Sequence, residues 1–411
     1  EHLILQFEKK NNITFAESQK DAIISAFQNG IEIITGGPGT GKTTIIKCII
    51  EIFETCGLKV LLGAPTGRAA KRMSESTGKE ATTIHRMLDM GVFEKEESVF
   101  VTNAEEHSLE ADVVIIDEAS MIDITLMNAL LKSIKVGTRL IIVGDVDQLP
   151  SVGAGNVLND FIESGFTKVV RLKEIFRQGK ESMIVVNAHK INKGEMPKLN
   201  EKGTDFFFIR NDIQEGILNT IIDLINTRLP KFNSNWDKLK SIQVLVPMKK
   251  GVLGVTNLNE RIQNVLNPKA PYKKEKEFRS MVFREGDKVM QIKNNYSLKW
   301  TRIAGKGEHA GLGAFTADMR FIESIDLEGK KLSIIFDDER RVIYDFMYLD
   351  ELDLAYAITI HKSQGSEFPV VIIPAYMGAP LLMNRNLLYT GITRAKEMVV
   401  VVGIPKALKY M

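Results

Sequence analysis

The sequence predicts an α/β protein with two units, each a parallel β-sheet covered by helices, and a small β-rich insertion in the second unit. Three observations support this prediction. Apolar strand-like runs alternate with amphipathic helical stretches from residue 13 to about residue 165, which is typical of a parallel sheet. The alternation resumes near Thr167, with Val169 to Leu172 as the predicted first strand of the second unit. Between residues 283 and 345 it gives way to strand-like pieces separated by Gly, Asp and Asn turns.

Length and composition exclude several classes of protein. The chain has 411 residues, enough for two or more domains, and its 44% hydrophobic and 26% charged residues are typical of a soluble globular protein. A net charge of +2 means that any nucleic-acid site must be a local groove. Two cysteines, Cys48 and Cys56, predict neither a disulfide framework nor a metal cluster. Because we find no signal peptide and no apolar run of ~18 residues, we expect a cytoplasmic protein without a membrane partner.

A Gly-rich loop between a strand, Ile31 to Thr35, and a helix, Thr43 to Glu54, predicts a triphosphate site. The loop follows the pattern G-x-x-x-x-G-K-T over residues 36–43, which turns backbone N–H groups towards phosphate oxygens. Lys42 is predicted to reach the β- and γ-phosphates, and Thr43 to give its hydroxyl to Mg²⁺. The predicted nucleotide contacts in this loop are Gly37, Pro38, Gly39, Thr40, Gly41, Lys42, Thr43 and Thr44.

Two further apolar strands end in polar residues that suit triphosphate hydrolysis. Residues 113–116 are followed by Asp117, predicted to hold Mg²⁺, and by Glu118, the candidate base for the attacking water. The strand from Arg139 to Val143 is followed by Gln148, a candidate contact to the γ-phosphate. Because parallel strands present their carboxyl ends at one edge, we expect these side chains near the loop. For each segment taken alone, an ordinary polar turn is the alternative.

Further motifs follow one another along nearly the whole chain. In order they are Ser18-Gln19, the phosphate loop, residues 64–70, residues 83–86, residues 117–120, residues 144–150, Phe176-Arg177-Gln178, residues 357–368 and residues 388–396. This ordered set resembles superfamily 1 DNA helicases of the 5′→3′ type, and specifically the RecD-like family that includes the exodeoxyribonuclease V alpha chain. The later motifs are long and specific, so the resemblance does not depend on the phosphate loop alone.

The resemblance implies two RecA-like P-loop NTPase motor domains with a small β-hairpin insertion and an SH3-like β-barrel insertion. The expected domains are 1–166, with a pin hairpin at 89–108 for which a surface loop is the alternative, then 167–280, the barrel at 281–347, and 348–411. Residues 313–320 depart from the family pattern because they lack an Asn-Gly turn, which puts the local hairpin in question. Relatives often carry further N-terminal domains, so we expect the chain to be a helicase core without them.

The resemblance also assigns roles around bound ATP and Mg²⁺. Gln19 would read the adenine edge, since an amide offers a paired donor and acceptor. Arg177 and Arg394 would be arginine fingers that neutralise charge on the transferring phosphoryl group. Glu367 would lie near the ribose. For each arginine, a surface salt bridge is the alternative interpretation.

Other motif residues are predicted to form a track for a single strand. Most carry hydroxyl, imidazole or basic groups, which can position a phosphate backbone without reading its sequence. A histidine taken alone is more commonly structural, so the motifs and not the imidazoles favour this interpretation. The predicted track consists of Pro65, Thr66, Arg68, Thr83, His85, Ser151, Val152, Thr359, His361 and Ser363.

By resemblance, the predicted function is ATP-dependent translocation along single-stranded DNA in the 5′→3′ direction, with unwinding of duplex DNA in repair or recombination. The expected partners are single-stranded and forked DNA, and the chain would act as a monomer or within a recombination complex. Two alternatives stay open. One is an RNA-directed helicase of the same superfamily, because no track residue distinguishes the 2′-hydroxyl. The other is an NTPase switch that does not translocate.

Overall fold

The computed structural model describes residues 1–88, 108–174, 182–201, 203–303, 310–314, 319–336, 340–378 and 383–411. The described chain divides into two compact units, Glu1–His189 and Lys190–Met411. Arg177 lies outside the described residues, and so does the predicted pin hairpin except for its last residue. Each unit is described by itself below.

The first unit contains a six-stranded sheet in which all described pairings are parallel. Its central strands are continuous apolar runs, which is the pattern expected when helices cover both faces of a sheet. The strands are β1 Ile31–Gly36, β2 Val60–Ala64, β3 Ala81–Thr83, β4 Val113–Ile116, β5 Arg139–Gly144 and β6 Lys168–Leu172. Their order across the sheet is β3-β2-β4-β5-β1-β6.

The helices of the first unit pack apolar faces on this sheet. Ile45, Ile49 and Phe53 repeat at four-residue spacing along α3 and are fully buried. The Phe53 ring packs at 4.1 Å between centroids on Phe27 from α2. The helices are α1 His2–Asn11, α2 Glu17–Gln28, α3 Lys42–Thr55, α4 Gly67–Thr77, α5 Ile84–Met87, α6 Ile124–Ser133 and α7 Val157–Ser164, with a 3₁₀ turn at Ala119–Met121. Helix α8, Met183–Asn192, contains the division between the units.

Strand β6 corrects the predicted domain boundary. It pairs in parallel with β1 from Glu32↔Lys168 to Gly36↔Leu172, so it is an edge strand of the first sheet. The prediction that residues 169–172 begin the second unit was therefore wrong. The packing is close, because a Cβ at Gly36 would lie 2.9 Å from the Cβ of Leu172. Strand periodicity gives no information about which sheet a strand joins, and this explains the error.

The second unit contains a five-stranded parallel sheet with the order β18-β8-β19-β20-β7. Its strands are β7 Phe206–Arg210, β8 Ile242–Val246, β18 Ala357–Thr359, β19 Phe368–Ala375 and β20 Ala395–Gly403. Its helices are α9 Gln214–Asp223, α10 Leu229–Phe232, α11 Val255–Leu266, α12 Arg385–Ile392 and α13 Pro405–Tyr410, with a π-helical turn at Leu224–Arg228 and 3₁₀ turns at Phe346–Glu351 and His361–Ser363. Residues 247–356, which separate β8 from β18, contain α11 and all of the strands β9 to β17.

These inserted strands form a hairpin and a seven-stranded antiparallel sheet of order β13-β12-β16-β15-β14-β11-β17. The sheet strands are β11 Lys288–Gln291, β12 Asn295–Arg302, β13 Ala310–Ala314, β14 Met319–Asp326, β15 Lys331–Phe336, β16 Arg340–Asp345 and β17 Leu352–Leu354. The hairpin is β9 Glu275–Phe278 with β10 Met281–Arg284. The described residues of the predicted insertion at 281–347 are mainly strands, from β10 to β16, but the hairpin begins earlier, at β9, and the seven-stranded sheet also includes β17. In the divergent 313–320 segment, residues 315–318 lie outside the described ranges.

Throughout the described ranges, every helix is too short or too polar to cross a lipid bilayer.

Glu32 gives the first unit a testable dependence of stability on pH. Its carboxyl is 1% exposed on β1 and accepts a hydrogen bond from Ser25. Burial raises its pKa from the ordinary 4.5 to about 8. Because the folded state then holds this proton more tightly than the unfolded state, the contribution of Glu32 to the free energy of unfolding falls as pH rises from about 4.5 to about 8.

Glu32→Gln should remove this slope and stabilise the protein at pH 8 by on the order of 3 kcal/mol. Urea unfolding at several pH values between 5 and 8 measures the effect. Glu75→Gln, at an exposed position on α4, is the control and should leave the slope unchanged. Parallel stability curves for the wild type and Glu32→Gln would contradict the prediction.

Candidate active site

The polar residues of the first unit collect at one edge of its parallel sheet. Strand β1 runs into the phosphate loop, β2 into Pro65 and Thr66, β4 into Asp117, and β5 into Asp145. Because all these strands are parallel, their carboxyl ends lie at the same edge. The phosphate loop and the residues that follow β4 and β5 therefore lie at one edge of the sheet, as predicted.

The phosphate loop has the backbone geometry of an anion site. Gly39 and Gly41 have φ angles of 74° and 81°, which L side chains rarely adopt, so glycine is required at both positions. No side chain caps α3, so the first N–H groups of this 14-residue helix remain available to an anion. The Lys42 ammonium donates to the Gly36 carbonyl at 2.5 Å and to the Gly37 carbonyl at 3.1 Å. The hydroxyl-bearing Thr43 is exposed at the start of the helix.

The buried side chain of Gln19 stabilises the phosphate loop through a hydrogen bond. Its side chain is 1% exposed, and its Nε2 donates to the Thr40 carbonyl at 2.8 Å. Its Oε1 accepts from the backbone N–H of Ala16 at 2.9 Å. Both ends of the amide are thus used inside the protein. Reading an adenine edge, as the resemblance implied, would require Gln19 to exchange these partners.

Asp117 and Glu118 form a pair of carboxylates at the end of β4. Burial and the neighbouring Glu118 raise the pKa of Asp117 to about 6. Glu118 is 6% exposed and has a φ angle of 54°, an unusual value for a residue with a side chain. Such backbone strain clusters at functional sites. The burial of the two carboxylates and the φ angle of Glu118 therefore favour a functional carboxylate pair over an ordinary polar turn.

Arg72 is a site residue that the sequence predictions missed. Its Nη2 lies 2.5 Å from Oε1 of Glu118, and the Glu118 side chain is only 8% exposed. Arg72 is on α4, four residues after Arg68, so the two side chains share one helix face. That spacing could have indicated that the basic run on α4 faces the sheet edge. The ion pair holds the candidate base in one orientation.

Gln148 and Ser120 present buried polar atoms at the ends of β5 and β4. Gln148 is 7% exposed, and its Nε2 donates to Asp145 at 3.2 Å. Its Oε1 has no hydrogen-bond partner among the described residues, and neither has the hydroxyl of Ser120. Buried polar atoms of folded proteins are nearly always paired. Two orphans at the same sheet edge therefore indicate a place where a ligand or water completes the pairing.

The donor set also suits Mg²⁺. Thr43 and Asp117 offer the hard oxygen atoms that this ion prefers, whereas Zn²⁺ would favour sulfur or imidazole. Within the described ranges, no group of three or more His, Cys, Asp or Glu could hold a metal ion by itself. Mg²⁺ is commonly held by one or two protein ligands together with substrate phosphates. The residues present thus fit a metal that arrives with a triphosphate.

The predicted track residues of the first unit lie at the ends of helices and strands. Thr66 caps α4 by accepting from the Ala69 N–H at 3.2 Å, and Thr83 caps α5 by accepting from the Arg86 N–H at 3.1 Å. Each threonine O–H still has its own proton to donate. Val152 is 86% exposed. Pro65, Arg68 and His85 are half-buried, and Ser151 donates to the Gly153 carbonyl at 3.0 Å.

The predicted track residues of the second unit differ in accessibility. Thr359 is 7% exposed and accepts from the Lys362 N–H at 3.3 Å. Burial lowers the pKa of the half-buried His361, so its imidazole is neutral near pH 7. Ser363 is fully enclosed and donates to the Ile360 carbonyl at 2.7 Å. In this conformation the Ser363 hydroxyl stabilises the turn, and the contact predicted for it would require the turn to open.

Arg394 is a buried guanidinium without a described counter-charge. It is 3% exposed, and it makes only long hydrogen bonds, 3.3 Å to the Ser366 carbonyl and 3.4 Å to the Thr393 hydroxyl. Its Nε has no hydrogen-bond partner among the described residues. The surface salt bridge considered as the alternative is therefore not its role here. Glu367, predicted near the ribose, lies 3.3 Å from the Lys396 ammonium.

Three family models match the chain. They are an AAA domain over residues 19–154, an ATP-dependent RecD-like DNA helicase SH3 domain over residues 258–336, and a UvrD-like helicase C-terminal domain over residues 354–402. The matches follow the order of the structural parts: first sheet, β-insertion, and return to the second sheet.

Curated relatives match over almost the whole chain. The ATP-dependent RecD2 DNA helicase of Deinococcus radiodurans is 32% identical over 389 residues, which cover 95% of this chain and 49% of the relative. The RecBCD enzyme subunit RecD of Mycolicibacterium smegmatis is 28% identical, over 94% of this chain and 71% of the relative. The chain thus spans about half the length of the Deinococcus protein.

Solved structures identify the fold. The crystal structure of Pif1 helicase from Bacteroides in complex with ADP-AlF3 and ssDNA superposes with a TM-score of 0.53 at 19% identity, covering 95% of this chain and 92% of that one. At this identity the likeness concerns the fold alone. It confirms the predicted α/β fold of two RecA-like domains with an SH3-like insertion.

The Arg72–Glu118 pair should show strong energetic coupling. Arg72→Met should lower the free energy of unfolding by about 2 kcal/mol, because it leaves a buried carboxylate without this cation. Glu118→Gln should cost less, and the double variant should cost less than the sum of the two, by about 1 kcal/mol or more. Denaturant unfolding of the four proteins measures this coupling.

The exposed pair Lys79–Glu54, at 2.7 Å, is the matched control and should couple by less than about 1 kcal/mol. Additive effects of the Arg72 and Glu118 substitutions would show that the contact does not hold the carboxylate.

Proposed function

The chain belongs to the RecD-like family of superfamily 1 helicases, and we propose that it is an ATP-driven motor that moves along single-stranded DNA and separates duplex DNA. The observation that supports this most directly is the common sheet edge. It brings the phosphate loop to the same place as the Asp117–Glu118 pair and the orphan Oε1 of Gln148. These are the parts that binding and hydrolysing a nucleoside triphosphate requires.

In the proposed cycle, ATP enters the phosphate loop and Lys42 exchanges two backbone carbonyls for phosphate oxygens. Mg²⁺, held by Thr43 and Asp117, would supply neutralising charge between the phosphates. Glu118 accepts the proton of the attacking water, and the free Oε1 of Gln148 orients that water. Arg72 keeps the Glu118 carboxylate in place through its ion pair. The ammonium of Lys42, the carboxylate of Glu118 and the Oε1 of Gln148 are thus the atoms that act in the proposed cycle.

We propose that Arg394 is the cation that meets charge developing on the transferring phosphoryl group. A guanidinium removed from water without a counter-anion is costly, and its unpaired Nε offers a donor in a rigid, always-protonated fork. A phosphoryl anion would supply the missing partner. Arg177, for which the resemblance implies the same role, stays part of this proposal on sequence grounds. So do Gln19 as adenine contact and Glu367 as ribose contact.

For the strand itself, we propose contacts from Thr66, Arg68, Thr83, His85 and Thr359. Their hydroxyl and basic groups suit a phosphate backbone, and the neutral imidazole of His361 suits stacking on a base. The remaining predicted contacts are Pro65, Ser151 and Val152. One similar Pif1 helicase structure contains single-stranded DNA, and another concerns unwinding at forked duplex DNA, which supports DNA as the substrate class. Movement in the 5′→3′ direction, and a place in a recombination or repair complex, follow from the family alone.

The first test is ATP hydrolysis at physiological salt without nucleic acid, with single-stranded DNA, and with single-stranded RNA. We expect strong stimulation by DNA, because a motor couples turnover to its track. Equal or greater stimulation by RNA would assign the chain to RNA instead. A hydrolysis rate that neither DNA nor RNA changes would favour the NTPase switch. Duplexes with 5′ or 3′ single-stranded tails then give the direction of movement.

The second test separates nucleotide binding from turnover. Arg394→Ala should reduce DNA-stimulated hydrolysis by about 10³-fold, because a missing arginine finger costs transition-state stabilisation, while nucleotide affinity stays near the wild-type value. Lys42→Ala should abolish turnover, since it removes the phosphate-binding cation. Fluorescent-nucleotide titration and steady-state hydrolysis measure the two effects.

Arg385→Ala is the matched control and should behave as the wild type. It removes the exposed arginine at the start of α12, the helix that ends just before Arg394. Retained hydrolysis in the Arg394 or Lys42 variant would refute the roles proposed for these residues.

A further inference from the structure

The chain returns from the β-insertion to the second parallel sheet through residues 354–357, here called the return segment. The segment runs from the last residue of β17 to the first residue of β18, and β18 ends at Thr359. Thr359 and His361, proposed contacts of the strand, therefore come directly after it. Whatever fixes the return segment also fixes the position of these two residues relative to the insertion.

Two buried amide side chains hold the segment from the parallel-sheet side. Gln243 on β8 is fully buried, and its Nε2 lies 3.1 Å from the carbonyls of both Ala355 and Tyr356. Asn259 on α11 donates to the carbonyls of Leu354 and Ala357 at 2.9 and 3.0 Å. Its Oδ1 accepts from the Ala357 N–H at 2.7 Å. Side chains thus pair with most of the backbone polar groups of the segment.

Residues of the insertion hold the same segment from the other side. The Lys288 carbonyl, on β11, accepts from the Ala355 N–H at 2.8 Å. Lys288 is 4% exposed, and its ammonium donates to Oε1 of Gln243 at 2.9 Å. The Tyr356 hydroxyl donates to Oδ1 of Asp287 at 2.8 Å. The insertion and the parallel sheet therefore share one set of buried hydrogen bonds across the segment.

Asp287 is the centre of this set. It is fully buried and accepts four hydrogen bonds, from the side chains of Gln263, Asn267 and Tyr356 and from the Arg284 N–H, at 2.6 to 2.8 Å. Apolar packing tolerates small shifts of position, but a buried carboxylate that loses a donor pays a desolvation cost. The network therefore favours one geometry of the segment over its neighbours.

The segment also forms part of the wall of a cavity of about 440 Å³. Leu354, Ala357 and Thr359 line one side of it, and Met281 and Val282 of the β9–β10 hairpin also line it. Gln263 and Arg284, which contact Asp287, contribute to the same lining. A shift of the return segment would thus change the surface at which Thr359 is presented.

We propose that Asp287 and Tyr356 are positioning residues that tie the β-insertion to the return segment and so hold Thr359 and His361 in place for the strand. This inference rests on the proposed function. It predicts that weakening the network impairs the response to single-stranded DNA while nucleotide binding and strand-independent hydrolysis continue.

Tyr356→Phe tests the inference by removing one hydroxyl, and Tyr344→Phe is a matched control. Tyr344 is also a buried tyrosine of the second unit, and its hydroxyl donates to Gln291 at 2.8 Å within the seven-stranded sheet, not to a residue of the return segment. Both variants lose one buried hydrogen bond, so they should lose similar thermal stability. Asp287→Asn, which keeps the shape of the side chain but removes its charge, is a second variant if Tyr356→Phe does not fold.

For Tyr356→Phe, we expect the DNA concentration that half-stimulates ATP hydrolysis to rise about tenfold, with nucleotide affinity and DNA-independent hydrolysis within about twofold of the wild type. Tyr344→Phe should leave the DNA response unchanged. Hydrogen exchange without any ligand should be faster at residues 357–363 in Tyr356→Phe only.

Equal DNA responses in the two variants, or unchanged exchange at residues 357–363, would overturn the inference alone. If single-stranded DNA does not change the rate of ATP hydrolysis by the wild-type chain, the proposed function is overturned, and the inference with it.

Discussion

Parallel pairing of strands is the constraint on which the rest of the first unit depends. It places the carboxyl ends of β1, β2, β4 and β5 at one edge, so loops far apart in the sequence become neighbours. Asp117 follows Lys42 by 75 positions, yet Asp117 and the loop that carries Lys42 each come directly after a strand of this sheet. The helix that follows β1 then offers its uncapped N–H groups at the same edge. Chemistry that needs phosphate contacts and carboxylates together is possible there because the backbone has already assembled them.

Among the described residues, buried polar groups differ in how completely they are paired. Asp287 has four hydrogen bonds, so its burial is compensated and its geometry is well defined. Gln148 and Arg394 are nearly as buried, but each retains an atom without a described partner. Buried polar atoms are nearly always paired, so an unpaired one needs an explanation. For Gln148 and Arg394 the explanation that we propose is a bound ligand, whereas the hydrogen bonds of Asp287 hold the architecture.

The β-insertion is joined to the second parallel sheet by polar contacts as well as by the chain. Gln243, Asn259 and Lys288 place their hydrogen bonds on the short segment that leads to Thr359. Replacing such a network by apolar packing can preserve stability, so its value lies more in defining one position than in adding free energy. The network thereby connects the β-insertion to the residues proposed to meet the strand.

The sequence by itself determined the fold class, the phosphate loop and the strand ends that carry Asp117 and Gln148, because these depend on local patterns and on spacing along the chain. Most predicted strand bounds agreed with the structure to within a residue or two. Only the tertiary structure decided that β6 joins the first sheet, that Arg72 pairs with Glu118, and that Ser363 is enclosed. The hydrogen-bond network of Asp287 and the return segment likewise joins residues up to 113 positions apart. These features depend on which surfaces meet after folding, and periodicity along one segment carries no information about its distant partners.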